Sequence, residues 1–277
     1  MRHRRRPSLS FASDTVAVDC ADTSGLADGI PVDRSERPTL AEHCRAVCES
    51  LPLQFAPGTN IAYSSAGILL LAEVVTVLSG QSLADYLRDA VFTPLGMHST
   101  TLGVAERRQR AREVTLSFEK VQANADHDHN SEYWRNLGAP WGGLLTTAED
   151  LSRFYQAMLR GGELDGARIL QPETARQMTR SQTHGEHALP SLPRDRQTGL
   201  IFGDEPSSSW GLGFRINEAE LKFGETASAA FGHHGASGCM VWADPASGLS
   251  CAVLTTEPSL CYSDEFNRLS ALVVAAG

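Results

Sequence analysis

The order of elements along the chain predicts an α/β (α+β) protein: an antiparallel sheet packed with helices and carrying a helical lobe. Three observations carry this. Helix-start signals fall at Thr39, Ser82, Thr147 and Pro172, all in the first two-thirds of the chain. Two β-rich runs, Gly238 to Ala243 and Leu249 to Thr255, flank the turn-forming Asp244-Pro245-Ala246-Ser247-Gly248. A helical stretch, Asp264 to Ala276, comes after them.

Taken in order, residues 1–38 are irregular, with Gly25, Gly29, Pro31 and Pro38. Residues 1–21 stay unassigned and are expected to be a disordered terminus; residues 22–277 form the folded part. Thr39-Leu40-Ala41-Glu42 is a capping box opening a helix to about Ser50. Ala66 to Ser79 is apolar on most faces and stops at Gly80, which predicts a buried helix. Ser82 caps a further helix to about Val91, broken by Pro94-Leu95-Gly96. Residues 103–139 are polar and give no clear signal. Thr147 caps an amphipathic helix with Leu151, Phe154, Met158 and Leu159 on one side and Gly161-Gly162 at its end. A short helix follows from Pro172 to about Met178, residues 181–208 are loop-like, and Trp210 to Ile216 is expected to be a strand.

Composition narrows function by exclusion. The 277 residues carry a formal charge of −9, which offers nothing to attract a nucleic acid. The longest apolar stretch, Ala66 to Leu78, is interrupted by Glu73 and is too short for a membrane span. Met1 to Pro7 is basic, but no sustained apolar run follows, so no signal peptide is expected and the chain as written is cytoplasmic. The six cysteines form no disulfide-scaffold spacing; Cys44 and Cys48 share a helix face and are expected to pack in the core. Only two lysines occur, Lys120 and Lys222, so any lysine chemistry rests on them.

Three segments could carry chemistry. Tyr63-Ser64-Ser65 lies between a Pro-Gly turn and an apolar helix, where the helix N-terminal field favours a phenolate able to exchange protons with a nucleophile. Phe231-Gly232-His233-His234-Gly235-Ala236-Ser237-Gly238 fits either a Gly-rich turn or a strand edge whose amides stabilise an oxyanion. Pro140-Trp141-Gly142-Gly143-Leu144 fits a tight loop or a third wall of a site. Asp126-His127-Asp128-His129 has metal-ligand residue types but fits a solvated loop better, so neither a metal nor a cofactor is expected.

Together these segments resemble the serine β-lactamase/penicillin-binding-protein superfamily, closest to the branch of class C β-lactamases, D-aminopeptidases and related esterases. The resemblance runs through Thr23-Ser24-Gly25-Leu26, Pro57-Gly58, Tyr63-Ser64-Ser65-Ala66-Gly67, Leu78-Ser79-Gly80-Gln81-Ser82 and Pro94-Leu95-Gly96-Met97. It continues through Gly142-Gly143-Leu144, Thr147 to Leu151, Gly161 to Leu164, Trp210 to Gly213, Phe231 to Gly235 and Trp242 to Pro245. It implies a β-lactamase/transpeptidase-like sheet flanked by helices, a helical lobe, and a site between them that acts on a small ester, D-amino peptide or β-lactam. It implies Tyr63 as the proton-relay tyrosine, Ser65 where an Asn is usual, and His233-His234-Gly235 as the substrate-lining strand. A hydroxyl at Ser65 reaches less far than a carboxamide.

The superfamily's Ser-x-x-Lys is expected a few dozen residues before Thr23, and no lysine precedes Lys120. The one Ser-x-x-Lys present, Ser117-Phe118-Glu119-Lys120, follows the tyrosine motif instead of preceding it. Gly80-Gln81-Ser82-Leu83-Ala84 approaches a nucleophile elbow, but a helix, not a strand, precedes Ser82. The chain is therefore expected to be a partial domain lacking the first strands and the nucleophile helix. A misplaced start or frameshift, a natural fragment and a degenerate non-catalytic copy all fit that expectation. Uncovered apolar faces and poor solubility would follow. Many proteins of the superfamily are exported. Substrate and oligomeric state are left open.

Overall fold

The computed structural model of the chain describes residues 22–103, 111–115, 129–183, 209–216, 229–262 and 264–277. Its first helix, α1 (Leu40–Ser50), starts with the capping box: the Thr39 hydroxyl accepts from the Glu42 amide and Glu42 reaches back to the Thr39 amide. Helix α2 (Ser65–Ser79) is capped by Ser64 and ended by Gly80 in the left-handed conformation. Next is α3 (Leu83–Leu87), capped by the Ser82 hydroxyl at 3.1 Å from the Asp85 amide, so Ser82 is a cap and not an elbow nucleophile. A π-helical turn, Arg88–Phe92, completes the segment to Leu95-Gly96.

A two-residue strand β1 (Thr101–Leu102), helix α4 (Glu132–Leu137), strand β2 (Leu144–Leu145) and helix α5 (Ala148–Leu159) follow. Helix α4 lies in the polar stretch that gave no clear signal; its marks are the Ser131 cap and the left-handed Gly138. A small hairpin, β3 (Glu163–Leu164) and β4 (Ala167–Arg168), leads to α6 (Pro172–Met178). Among the described residues the main sheet has five antiparallel strands in sequence order: β5 (Ser209–Trp210), β6 (Arg215–Ile216), β7 (Phe231–Gly235), β8 (Cys239–Asp244) and β9 (Leu249–Leu254). Helix α7 (Glu265–Ala276) comes last.

The sheet has a core on each face. On the front, Tyr155 and Met158 of α5 and Ala175 of α6 pack on Phe214, Ile216, Phe231, Val241 and Ala243. On the back, Phe266 of α7 packs on Met240, Trp242 and Cys251. The alternation of Val241 and Ala243 with Met240 and Trp242 along β8 produces this division. A third cluster joins Phe92, Leu95 and Met97 to Ala157 of α5, and a fourth joins Val47 of α1 to Ala66 and Leu69 of α2. The mixed helix and antiparallel-sheet architecture is the one expected.

Three local expectations are corrected. The strand expected over Trp210 to Ile216 is two short strands around a turn: the Gly211 amide donates to the Phe214 carbonyl at 2.8 Å, and Gly213 has φ +80°. Helix α2 buries only Ala66, Gly67 and Leu69, while Val77 is 70% and Leu78 82% exposed. Its apolar periphery exceeds what α1, α3 and the Trp141 loop cover. Cys44 packs beside Val47, but Cys48 is exposed; both are free thiols. Leu272 of α7 is also exposed, and among the described residues β9 pairs with β8 alone. No single described helix is long and apolar enough to cross a membrane.

Candidate active site

The segment from Asp22 to Asp28 builds the first wall. The Ala62 amide donates to the Asp22 carbonyl at 2.8 Å and the Gly58 amide to the Thr23 carbonyl at 2.8 Å. Leu26 pairs with Leu53 in an isolated bridge, and the Gln54 amide donates to the Gly25 carbonyl at 2.8 Å. Gly25 has φ +79°, and a Cβ there would collide with the Phe55 carbonyl oxygen, so the Thr-Ser-Gly-Leu spelling is a backbone requirement. The wrapped segment then grips the turn that carries Tyr63. The Ser64 amide donates to Asp22 Oδ1 at 3.4 Å, and the Ser65 amide to Asp28 Oδ1 at 2.9 Å. The Ser64 hydroxyl donates to the Ala27 carbonyl at 3.2 Å and accepts from the Gly67 amide at 3.0 Å.

Strand β7 builds the second wall. His233 pairs with Val241 and so projects from the front face, whereas His234 pairs with Met240 on the α7 side and is 5% exposed. The two histidines thus leave the strand on opposite faces. Strand β6 pairs only with Phe231 and Gly232, so His233 to Gly235 run past its end. Across this gap the ring of Tyr63 lies 6.1 Å from that of His233. Trp210 completes a triangle, 6.2 Å from Tyr63 and 5.7 Å from His233.

Of the residues singled out in the sequence, Tyr63 and His233 meet directly. Ser65 follows Tyr63 at the start of α2, its backbone amide donating to Asp28 Oδ1. Gly235 ends β7, and His234 is turned into the back of the sheet. The Pro140–Leu144 loop packs Trp141 on His43 and Trp134, with ring separations of 5.7 and 6.0 Å, and belongs with the cluster beneath α2. The Ser117–Lys120 motif, Lys222, Cys20 and the basic start lie outside the described residues, as do Asp126 to Asp128. His129 stacks edge-on to Trp134, and no cluster able to hold a metal occurs among the described residues.

Four further residues belong to the site, and sequence reasoning gave them no role there: Asp22, Asp28, Trp210 and Arg215. Trp210 is 3% exposed, and its indole N–H has no hydrogen-bond partner among the described residues. The Arg215 guanidinium lies 5.6 Å from the Trp210 ring centre. The visible signals were the acidic residues bracketing Thr-Ser-Gly-Leu and the Trp-Gly-Leu-Gly turn, but their meaning depends on partners distant in sequence.

Electrostatics reverse one expectation. Burial pushes the Tyr63 phenol above its ordinary value, and the Asp22 and Asp28 charges push it further; only the Ser65 hydrogen bond pulls it down. The neutral phenol is therefore the resting form, although Tyr63 adjoins a helix N-terminus. Burial raises the Asp28 carboxyl, against hydrogen bonds from the Ser65 backbone and hydroxyl. Burial lowers the His233 imidazole to about 4; a hydrogen bond to the His234 carbonyl opposes this and the Arg215 charge adds to it. That bond, 2.6 Å from Nδ1, places the proton of the neutral ring on Nδ1 and leaves Nε2 as an acceptor.

A pH dependence follows. His233 is lowered from an unfolded value of about 6.5, so its contribution to stability is complete above pH ~6.5. It is lost as pH falls towards about 4, because the unfolded chain takes the proton first. The urea midpoint should fall further between pH 7 and 4.5 in the native chain than in His233→Gln. Equal falls would show that His233 is not held neutral.

Comparisons with known proteins identify the family and the fold. The family model described as Beta-lactamase matches residues 20–275. Penicillin-binding protein 4 of Amycolatopsis lactamdurans is 28% identical over 246 residues, covering 87% of this chain and 59% of that protein. A β-lactamase structure from Mycobacterium bovis superposes with a TM-score of 0.60 at 26% identity, covering 94% of this chain and 73% of that one. EstA from Arthrobacter nitroguajacolicus Rue61a superposes with a TM-score of 0.69 at 22% identity, covering 94% and 72%, a likeness of fold. The chain spans between 48% and 59% of the length of the first curated relatives it matches. A match over nearly the whole sequence places this chain in the β-lactamase family, to which serine hydrolases and penicillin-binding proteins belong.

Proposed function

We propose that this chain carries the tyrosine and histidine side of an acyl-transfer site. Its substrate class is a small ester, a D-amino peptide or a β-lactam, with the ester favoured. The observation that carries the reading is the 6.1 Å approach of the Tyr63 and His233 rings from opposite ends of the chain. Tyr63 manages a proton at the reacting oxygen, and the edge at His233 to Gly235 lines the acyl group. A histidine neutral above about pH 4 offers a hydrogen-bond acceptor at Nε2 and no cation to hold a carboxylate, which favours the ester. The relatives named as penicillin-binding protein and β-lactamase support acylation of a serine followed by hydrolysis.

The nucleophile is the part these 277 residues do not supply, since no lysine precedes Lys120 and the only Ser-x-x-Lys is Ser117–Lys120. The same observation favours a second reading, a ligand-binding member of the family without turnover. Fluorescent penicillin and a fluorophosphonate should therefore leave this chain unlabelled, and p-nitrophenyl acetate should not be turned over. Covalent labelling at any of its serines, Ser117 above all, would overturn that. A folded fusion placing a relative's Ser-x-x-Lys segment before residue 22 should label at the added serine. Tyr63→Phe should then slow acylation by about 10²–10⁴-fold. A folded fusion that takes up neither probe would leave the ligand-binding reading.

A further inference from the structure

We propose that Asp22 and Asp28 are positioning residues for Tyr63, clamping the backbone on both sides of it so that Tyr63 serves as a proton donor. This rests on the acyl-transfer reading above, and the test below requires no turnover.

The geometry is a two-point grip. Asp22 Oδ1 accepts from the Ser64 amide and Asp28 Oδ1 from the Ser65 amide, the two N–H groups that follow Tyr63. On the other side of Tyr63, the Asp22 carbonyl accepts from the Ala62 amide. One short segment therefore pins the tyrosine on both sides and places two carboxylates on the amides that follow it. Asp22 is 4% exposed, so water screens its charge weakly. Elsewhere around Tyr63 the described groups are the Ser65 hydroxyl, His233 of β7 and, beyond His233, Arg215 of β6. His233 is neutral above about pH 4 and cannot offset the carboxylates near neutrality. Neither lysine of the chain falls within the described residues. Negative charge with burial destabilises a phenolate, and the phenol persists.

In ester cleavage the step balances simply. As the serine Oγ of the added Ser-x-x-Lys segment bonds to the acyl carbon, it gives its proton to that segment's base; the ester C–O bond then breaks, and the Tyr63 proton passes to the oxygen of the departing alcohol, leaving the O–H electron pair on the phenolate. Water next bonds to the acyl carbon and gives a proton to the Tyr63 phenolate, while the acyl–serine bond breaks and the serine oxygen recovers its proton from the base.

The test is a titration of the whole chain carrying ¹³Cζ-tyrosine, with Tyr63→Phe assigning its signal among the five tyrosines. Tyr63 should remain a phenol at pH ~10, where free tyrosine is half ionised. Asp28→Asn keeps an oxygen acceptor for the Ser65 amide but removes the charge. It should raise the Tyr63 phenolate-to-phenol ratio at fixed alkaline pH by about threefold or more. Asp22→Asn should act in the same direction. Ser65→Ala should act oppositely, because it removes a hydroxyl that favours the phenolate. A general loosening would move all three variants downwards and would also expose the buried Tyr155, whose signal reports an intact front core. Tyr63 titrating at pH ~10 like free tyrosine, or failing to respond to Asp28→Asn while Tyr155 stays buried, would overturn the proposal.

Discussion

Trp242→Ala is expected to destabilise the chain by about 3–5 kcal/mol, read as a fall in the urea midpoint. Trp242 is the largest fully buried side chain of the back core, packed with Met240, Cys251 and Phe266. Its indole N–H donates to Ser270 Oγ at 2.9 Å, and Ser270 is itself fully buried. Truncation leaves a cavity between the sheet and α7 and takes from the buried Ser270 hydroxyl its indole donor. Across the strand pair stands Gly232, where a Cβ would collide with the Val241 carbonyl and the Trp242 backbone. Trp242→Phe refills most of the volume and should cost markedly less. A loss below about 1 kcal/mol for the alanine variant would show that α7 does not seal the back of the sheet.

Gly25→Ala is expected to cost about 2–4 kcal/mol and to disturb the site together with the fold. The left-handed φ of +79° and the collision with the Phe55 carbonyl act at one atom. The strands they would part are the Thr23–Gly58, Gly25–Gln54 and Leu26–Leu53 contacts that hold the Asp22 to Asp28 segment in place. The Tyr63 titration should therefore move towards that of free tyrosine as the urea midpoint falls. Gly29→Ala is the control, because nothing lies within 4 Å of a Cβ there. Equal effects at the two glycines would show that the grip on Tyr63 does not depend on this turn.

Local features of the fold were legible because near neighbours encode them. The Thr39 box, the Ser82 and Thr147 caps, the Gly80 terminus and the hairpin around Asp244 to Gly248 are hydrogen-bond patterns spanning a few residues. The break at Gly211 to Gly213 was equally local, but three apolar residues beside it resembled a strand and outweighed the glycines. Helix α2 misled for another reason. Its composition states what could be buried, while the extent of burial depends on the elements that reach it, and Val77 and Leu78 remain uncovered.

The sequence by itself determined the family, the chemical types at the site and the absence of a Ser-x-x-Lys before Tyr63. It could not divide the histidine pair. Only the register of β7 on β8 sends His233 towards Tyr63 and His234 into the back core, since one residue along a strand reverses the face. Nor could it give the charge state of Tyr63. The helix N-terminus favours the phenolate, but burial and two carboxylates from the folded-back segment at 22–28 outweigh it. The field at an atom is summed over neighbours in space, and those neighbours are assigned only when the chain closes on itself.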